Sequence, residues 1–176
     1  LLYDQMSIGD LENLQHYMKE NCRASLTCCQ VEEDYFDSLQ MGSHFSPIVY
    51  YRLIAQKFLP ETVSRILYLD VDIMINGDID SFYDTDFLGK DIVACENRGD
   101  TLTHKKRLGL KITSHYVNAG VLLFNMAQIR KNVSAEEIIH CIKKNIEILE
   151  WYDQDVLNIL YEDKIVLCKS SNYNFQ

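Results

Sequence analysis

Two aspartates one residue apart, Asp70 and Asp72, follow directly on the apolar run Ile66-Leu67-Tyr68-Leu69. In an extended chain residues i and i+2 project to the same side, so a strand over this run would aim both carboxylates at one point beyond its carboxyl end. Open α/β sheets bind ligands at that place. Two carboxylates so close repel unless a proton or a cation sits between them. Their hard oxygens suit Mn²⁺ or Mg²⁺, and a metal with spare coordination positions can hold a diphosphate. The same D-x-D spacing also arises where a strand simply ends in acidic turn residues, so the rest of the chain has to decide.

The elements that must position these carboxylates are legible as an alternation of strands and helices. Leu1 to Asp4 read as a strand end, and Ser7-Ile8-Gly9-Asp10 opens a helix with Leu11, Leu14 and Met18 on one face. Ala24 to Val31 is a weaker strand candidate, and Glu32 to Gly42 reads as loop. Ser46-Pro47 is a helix opening, with the helix running through Tyr51, Ile54 and Phe58 to Pro60. Beyond the aspartates, Asn76-Gly77-Asp78 is a turn and Asp80 to Lys90 is loop-like. Ile92 to Cys95 is a second buried strand, and Glu96 to Ser114 is polar and basic. Tyr116 to Asn125 is a second long apolar run, with Asn118 and Gly120 at its head, where a backbone can come close to a ligand. Ser134 to Glu137 is a capping box before the stripe Ile138, Ile139, Ile142, Ile146 and Leu149. Trp151 to Asp155 leads into a short helix over Val156 to Leu160, and Ile165 to Cys168 is a last strand. The pattern predicts an α/β class, three-layer α/β/α with a mostly parallel, mixed sheet.

Composition narrows the function classes. With 176 residues, 47% of them hydrophobic, one sizeable core and one domain are expected. Acidic residues outnumber basic ones, 26 to 17, and the longest basic cluster is His104-Lys105-Lys106-Arg107, which argues against nucleic acid as a partner. The six cysteines lack C-x-x-C spacing, so a zinc site is not expected and reduced, cytoplasmic thiols are the default. No apolar run approaches the ~18 residues of a membrane span. The chain starts at Leu1 and stops at Gln176, which reads as a fragment, so a leader on the longer protein stays open.

Four stretches in order, Tyr51-Arg52, Leu69-Asp70-Val71-Asp72, Tyr116-Val117-Asn118-Ala119-Gly120-Val121 and Asp153-Gln154-Asp155-Val156-Leu157-Asn158, resemble the family 8 retaining glycosyltransferases. That family includes galactosyl- and glucosyltransferases of bacterial surface glycans, and glycogenin. The resemblance implies a GT-A-type nucleotide-diphospho-sugar transferase fold and Mn²⁺ (or Mg²⁺) as cofactor. The implied partners are UDP-glucose or UDP-galactose as donor and a glycan or other hydroxyl acceptor. By the same resemblance Asp70 and Asp72 hold the metal, and Arg52, Asp70, Val71, Asn118 and Ala119 contact the donor. Asp153 and Gln154 face the sugar ring as the catalytic pair. Without the resemblance, Asp153 reads as an ordinary helix cap, Arg52 as a solvated helix residue and Asn118 as a polar strand opening.

Two pieces of the family pattern are absent from these residues: the first nucleotide-binding strand, and a metal-binding histidine in an H-x-x-G-x-x-K-P-W-type motif. The segment is therefore expected to be a partial catalytic domain, inactive alone and prone to homo-oligomerise through a sheet edge near Leu1 to Asp4. The full-length protein is expected in the cytoplasm, with a peripheral position at the inner face of the membrane left open. A haloacid-dehalogenase-type phosphotransferase also delivers D-x-D from an apolar strand, but its usual threonine is here Ile73 or Met74. A non-catalytic glycan- or protein-binding module is the other alternative.

Overall fold

The computed structural model describes residues 1–3, 5–31, 36, 47–168 and 173–174. The chain forms two compact units, Leu1–Leu59 and Pro60–Gln176.

In the first unit β1 (Leu2–Tyr3) and β2 (Cys29–Gln30) pair in parallel around α1 (Ile8–Cys22). Ser7 opens α1 by accepting a hydrogen bond from the Asp10 amide at 3.1 Å, as the sequence predicts. The strand expected over Ala24 to Val31 is confined to two residues, and of the loop expected over Glu32 to Gly42 only Phe36 lies within the described residues. The helix expected from Ser46-Pro47 to Pro60 is a 3₁₀ helix over Pro47–Lys57. Along it Tyr50 and Leu53, and Tyr51 and Ile54, form buried pairs three residues apart, and at three residues per turn the members of each pair lie one above the other. Phe36 stacks against Tyr50 and Tyr51, each at 5.9 Å between ring centroids. Arg52 sits half-buried on this helix; its expected cap, Ser46, lies outside the described residues.

The second unit is built on a four-stranded sheet of order β3-β5-β4-β6, where β3 is Arg65–Leu69, β4 is Ile92–Glu96, β5 is Val117–Asn125 and β6 is Ile165–Leu167. The sheet is mixed and mostly parallel in strand direction, as expected: among the described residues β3, β4 and β6 run the same way and β5 runs against them. The alternation of strands with helices along the sequence carries that expectation. Of the neighbouring pairs, β5 is antiparallel to both β3 and β4, while β4 and β6 pair in parallel. β5 is covered because it is central: Val121, Leu122 and Leu123 are all fully buried. At roughly 1.5–3 kcal/mol per buried aliphatic side chain, this strand anchors the unit.

Alternation assigns the two faces of the sheet. Leu67 and Leu69, Val93 and Cys95, and Val121 and Leu123 point to one face, against Phe82 and Phe87. Phe82 belongs to α2 (Asp80–Tyr83), a single turn inside the stretch read as loop. The basic stretch after β4 contains a further unexpected helix, α3 (Thr101–Leu108), capped by Asp100 and ended by Gly109 at φ 70°. α4 (Met126–Asn132) follows β5 directly. α5 (Ala135–Asn145) has both halves of the predicted capping box, with Glu137 N donating to Ser134 Oγ at 3.1 Å and Ser134 N to Glu137 Oε2 at 2.7 Å. It stops before Ile146 and Leu149, which the apolar stripe had included. α6 (Tyr152–Leu160) starts four residues earlier than the apolar run indicates.

Candidate active site

The carboxyl ends of β3 and β4 meet the amino end of β5, because β5 is antiparallel to both. Asp70 follows β3 immediately and continues its ladder, its amide donating to the Gly120 carbonyl at 2.9 Å. Tyr68, two residues earlier and on the same side of the strand, donates its hydroxyl to Asp70 Oδ1 at 2.7 Å. The other carboxylate oxygen lies over Gly120, where an added Cβ would come within 3.0 Å of Asp70 Oδ2 and of Asn118 Oδ1. Glycine is needed here for space, since its φ lies outside the left-handed region.

The strand alternation that was to carry Asp70 and Asp72 to one side stops at Asp70. Val71 and Asp72 are corner residues of a turn closed by the Ile73 amide on the Asp70 carbonyl at 3.2 Å. Both are exposed. Asp72 opens onto a cleft of about 780 Å³ lined also by Leu69, Ile73, Asp78, Ile79 and Tyr173.

Asn118, Ala119 and Gln154 are brought together. Gln154 is nearly buried, and its Oε1 accepts from Asn118 Nδ2 and from the Ala119 amide, both at 3.1 Å. Asn118 Oδ1 in turn accepts from the Gly120 amide and from Asn174 Nδ2, both at 2.8 Å. Asn158, one helical turn after Gln154, spans the backbone of Val117: its Oδ1 accepts from Val117 N at 2.7 Å and its Nδ2 donates to Val117 O at 2.8 Å. α6 is thus fastened to the head of β5 through side chains that act as substitute strand partners. Asp153 is half-buried in the first turn of α6 and is not its cap, which is Trp151.

The charge that organises this turn is Asp155, fully buried. Its carboxylate accepts from Arg107 Nη1 at 2.9 Å and Nη2 at 3.2 Å, from Tyr116 OH at 2.6 Å, and from the Glu150 and Trp151 amides at 2.8 and 2.9 Å. Burial works against the charged form, but the bonds from Arg107, Tyr116 and the two amides outweigh it and hold the carboxyl below the ordinary carboxylate range. A depressed native pKa adds stability above the unfolded value of about 3.9 and loses it as pH falls through the native one. The melting temperature should therefore fall as pH is lowered from about 5 to about 3, and Asp155→Asn should flatten that dependence while lowering stability at neutral pH. Thermal denaturation across this range checks both.

Among the described residues no group of three or more His, Cys, Asp or Glu side chains forms a metal cage. Asp70 and Asp72 match Mn²⁺ or Mg²⁺ in donor type, and Gly120 leaves room beside Asp70 Oδ2; in number they are two.

The sequence profile of the family described as glycosyl transferase family 8 matches residues 2–176. The chain belongs to this family. The haloacid-dehalogenase alternative is thereby set aside. It is 30% identical over 152 residues to the lipopolysaccharide glucosyltransferase WaaO of Escherichia coli K12, covering 83% of this chain and 44% of that protein. It is 28% identical over 137 residues to general stress protein A of Bacillus subtilis 168, covering 76% and 48% respectively. The crystal structure of the galactosyltransferase LgtC with donor and acceptor sugar analogs superposes with a TM-score of 0.81 at 20% identity, over 94% of this chain and 60% of LgtC. The fold is therefore of the GT-A type. The chain spans about half or less of the length of the curated relatives it matches.

Of the residues assigned from the sequence, Asp70, Asn118, Ala119 and Gln154 gather at the sheet end, with Val71 and Asp72 on the turn beside them and Asp153 on α6. Arg52 belongs to the first unit. Tyr68, Asn97, Arg107, Tyr116, Asn158 and Asn174 were not assigned. Tyr68 had a usable signal, the i−2 position before Asp70 on a strand. So did Asn158, at i+4 from Gln154 on a helix. Arg107 and Asn174 reach the site from 48 and 56 residues away in sequence, and nothing local marks them.

Proposed function

We propose that this chain forms part of a retaining hexosyltransferase that moves glucose or galactose from UDP-glucose or UDP-galactose to a hydroxyl of a glycan acceptor. The observation that supports this reading best is the convergence of Asp70, Asn118, Ala119 and Gln154 on one end of the sheet, in a member of family 8. Asp70 and Asp72 would hold Mn²⁺ or Mg²⁺, which when bound neutralises charge developing on the departing diphosphate. Tyr68 fixes the Asp70 carboxylate so that no rotamer search accompanies binding. Asn118, Ala119 and Gly120 form a wall poor in side-chain bulk against which a sugar ring fits. Asp153 accepts bonds from sugar hydroxyls, and Gln154, an amide and so a poor nucleophile, contributes a fixed dipole near the anomeric carbon. Front-face attack follows, in which the leaving phosphate takes the acceptor's proton and the protein supplies position. Arg52, from the first unit, is assigned to the donor phosphate on its guanidinium chemistry.

The full-length protein incubated with UDP-glucose or UDP-galactose and Mn²⁺ should release UDP from one donor in preference, and EDTA should stop the release. No release from either donor, with a panel of glycan acceptors present, contradicts the proposal.

A further inference from the structure

Hydrogen-bond direction around Gln154 can be followed without ambiguity. The Ala119 amide is a donor only, so the Gln154 atom 3.1 Å from it is the oxygen. The other terminal atom is therefore the nitrogen, which faces Tyr116 OH at 3.2 Å and Asn97 Oδ1 at 3.4 Å. Tyr116 has one proton, and Asp155, charged and forked by Arg107, can only accept. At 2.6 Å that proton goes to Asp155, which leaves the hydroxyl oxygen free to accept from Gln154. The chain of donors thus runs from Gln154 to Tyr116 to Asp155, and Arg107 closes it from the far side.

The parts of this chain are held individually. Tyr116 is fully buried and its ring stacks on His104 at 5.0 Å between centroids. Arg107 also donates to His104 Nδ1 at 3.2 Å, so the imidazole proton is on Nε2. Burial first, and then the bond to Asp155, push the Tyr116 hydroxyl pKa above its ordinary value, so it remains a hydroxyl at all physiological pH. Asp155 collects the Glu150 and Trp151 amides into the turn before α6, and Tyr152, the first residue of α6, sits at φ 33°, a left-handed conformation costly for a tyrosine.

We infer that Tyr116 and Arg107 are positioning residues for the reaction: acting through Asp155, they fix the Gln154 side-chain amide in one of its two orientations, oxygen toward Asn118 and Ala119 and nitrogen away from them. A flipped amide would set its NH₂ against the Ala119 N–H and its oxygen against Asn97 Oδ1. Without Tyr116 OH, the preference between orientations rests on Ala119, Asn118 and the long contact to Asn97. This inference rests on the proposed role of Gln154 at the sugar ring, and it assigns function to two residues that touch no substrate.

Two readouts test it in the full-length protein. The Gln154 side-chain NH₂ pair, assigned in ¹⁵N-correlated NMR spectra by its disappearance in Gln154→Glu, should exchange slowly with water in the wild type. In Tyr116→Phe it should shift and exchange faster. In UDP-sugar turnover, Tyr116→Phe should lower kcat about 10- to 100-fold with KM for the donor within about twofold, as expected for loss of orientation and not of binding. Arg107→Lys keeps the charge, guards against loss of folding, and should recover part of the kcat lost in Arg107→Met. Unchanged Gln154 amide signals in Tyr116→Phe overturn the positioning, and unchanged kcat overturns its relevance to the reaction. A wild type without turnover would sink the proposed function instead, and the NMR comparison would still decide the orientation.

Discussion

Asp72→Asn should remove metal-dependent UDP binding and leave the fold untouched. The side chain is exposed, stands on a turn beyond β3 and takes no part in the buried cluster beneath it, so its loss falls among surface changes, usually within about 0.5 kcal/mol. Its chemical effect is far larger. Asparagine keeps the size and one oxygen but removes the charge, and Asp70 would remain the one carboxylate of the pair facing the cation. A divalent ion bound through a single carboxylate and water is held weakly, and the diphosphate depends on it. Isothermal calorimetry of the full-length protein with UDP and Mn²⁺ should show an affinity loss of about 100-fold or more, or about 3 kcal/mol. Affinity equal to the wild type in the presence of Mn²⁺ would remove Asp72 from the metal site. The measurement carries particular weight because strand alternation does not extend to Asp72: the Asp70–Ile73 turn sets where it points.

That turn marks where sequence reasoning runs out. Periodicity and local capping are written in the chain, and they located β3, β4, β5 and β6 and both halves of the α5 cap. Segments whose stability comes from partners distant in sequence carry no such period. α3 is mostly polar, with Lys105 and Leu108 its only buried residues, and it forms between Asp100 and Gly109 while Arg107 reaches across to Asp155. The same division holds within the site. Asp70, Asn118 and Gln154 stood out because residue type and motif coincide, whereas Asn174 bonds Asn118 only because β6 returns the chain parallel to β4. Asp155 was visible in the Asp153-Gln154-Asp155 motif, yet its two neighbours drew the functional assignment. The structure gives Asp155 the buried ion pair and Gln154 the contacts to β5.

Gly120→Ala should cost more function than its single methyl group suggests. The backbone there is extended and accepts alanine conformationally, so the penalty is one of space alone. The added Cβ would meet Asp70 Oδ2 and Asn118 Oδ1, each at 3.0 Å, tighter than ordinary contact. Moving the backbone away is opposed from both sides, because Gly120 O receives the Asp70 amide and Gly120 N donates to Asn118 Oδ1. The side chains must yield instead. Asp70 can rotate only by straining its 2.7 Å bond from Tyr68, and Asn118 only by straining those to Asn174 and Gln154. Overpacking of this kind costs about 1–3 kcal/mol of stability. The displaced groups are the ones proposed to meet metal and donor sugar, so kcat/KM for the UDP-sugar should fall about 100-fold, as misplacements of about 1 Å do. Gly9→Ala is the matched control: its Cβ approaches only Ser7 Oγ, at 3.9 Å, and within α1 alanine should be neutral or stabilising by up to about 1 kcal/mol. Tyr68→Phe separates the two contributions, since it removes the Tyr68 bond to the Asp70 carboxylate without crowding it and should lower metal-dependent UDP affinity less than Gly120→Ala does. A Gly120→Ala protein with wild-type kcat/KM would mean that Asp70 and Asn118 can shift without consequence, and that the wall at the head of β5 is not where the sugar lies.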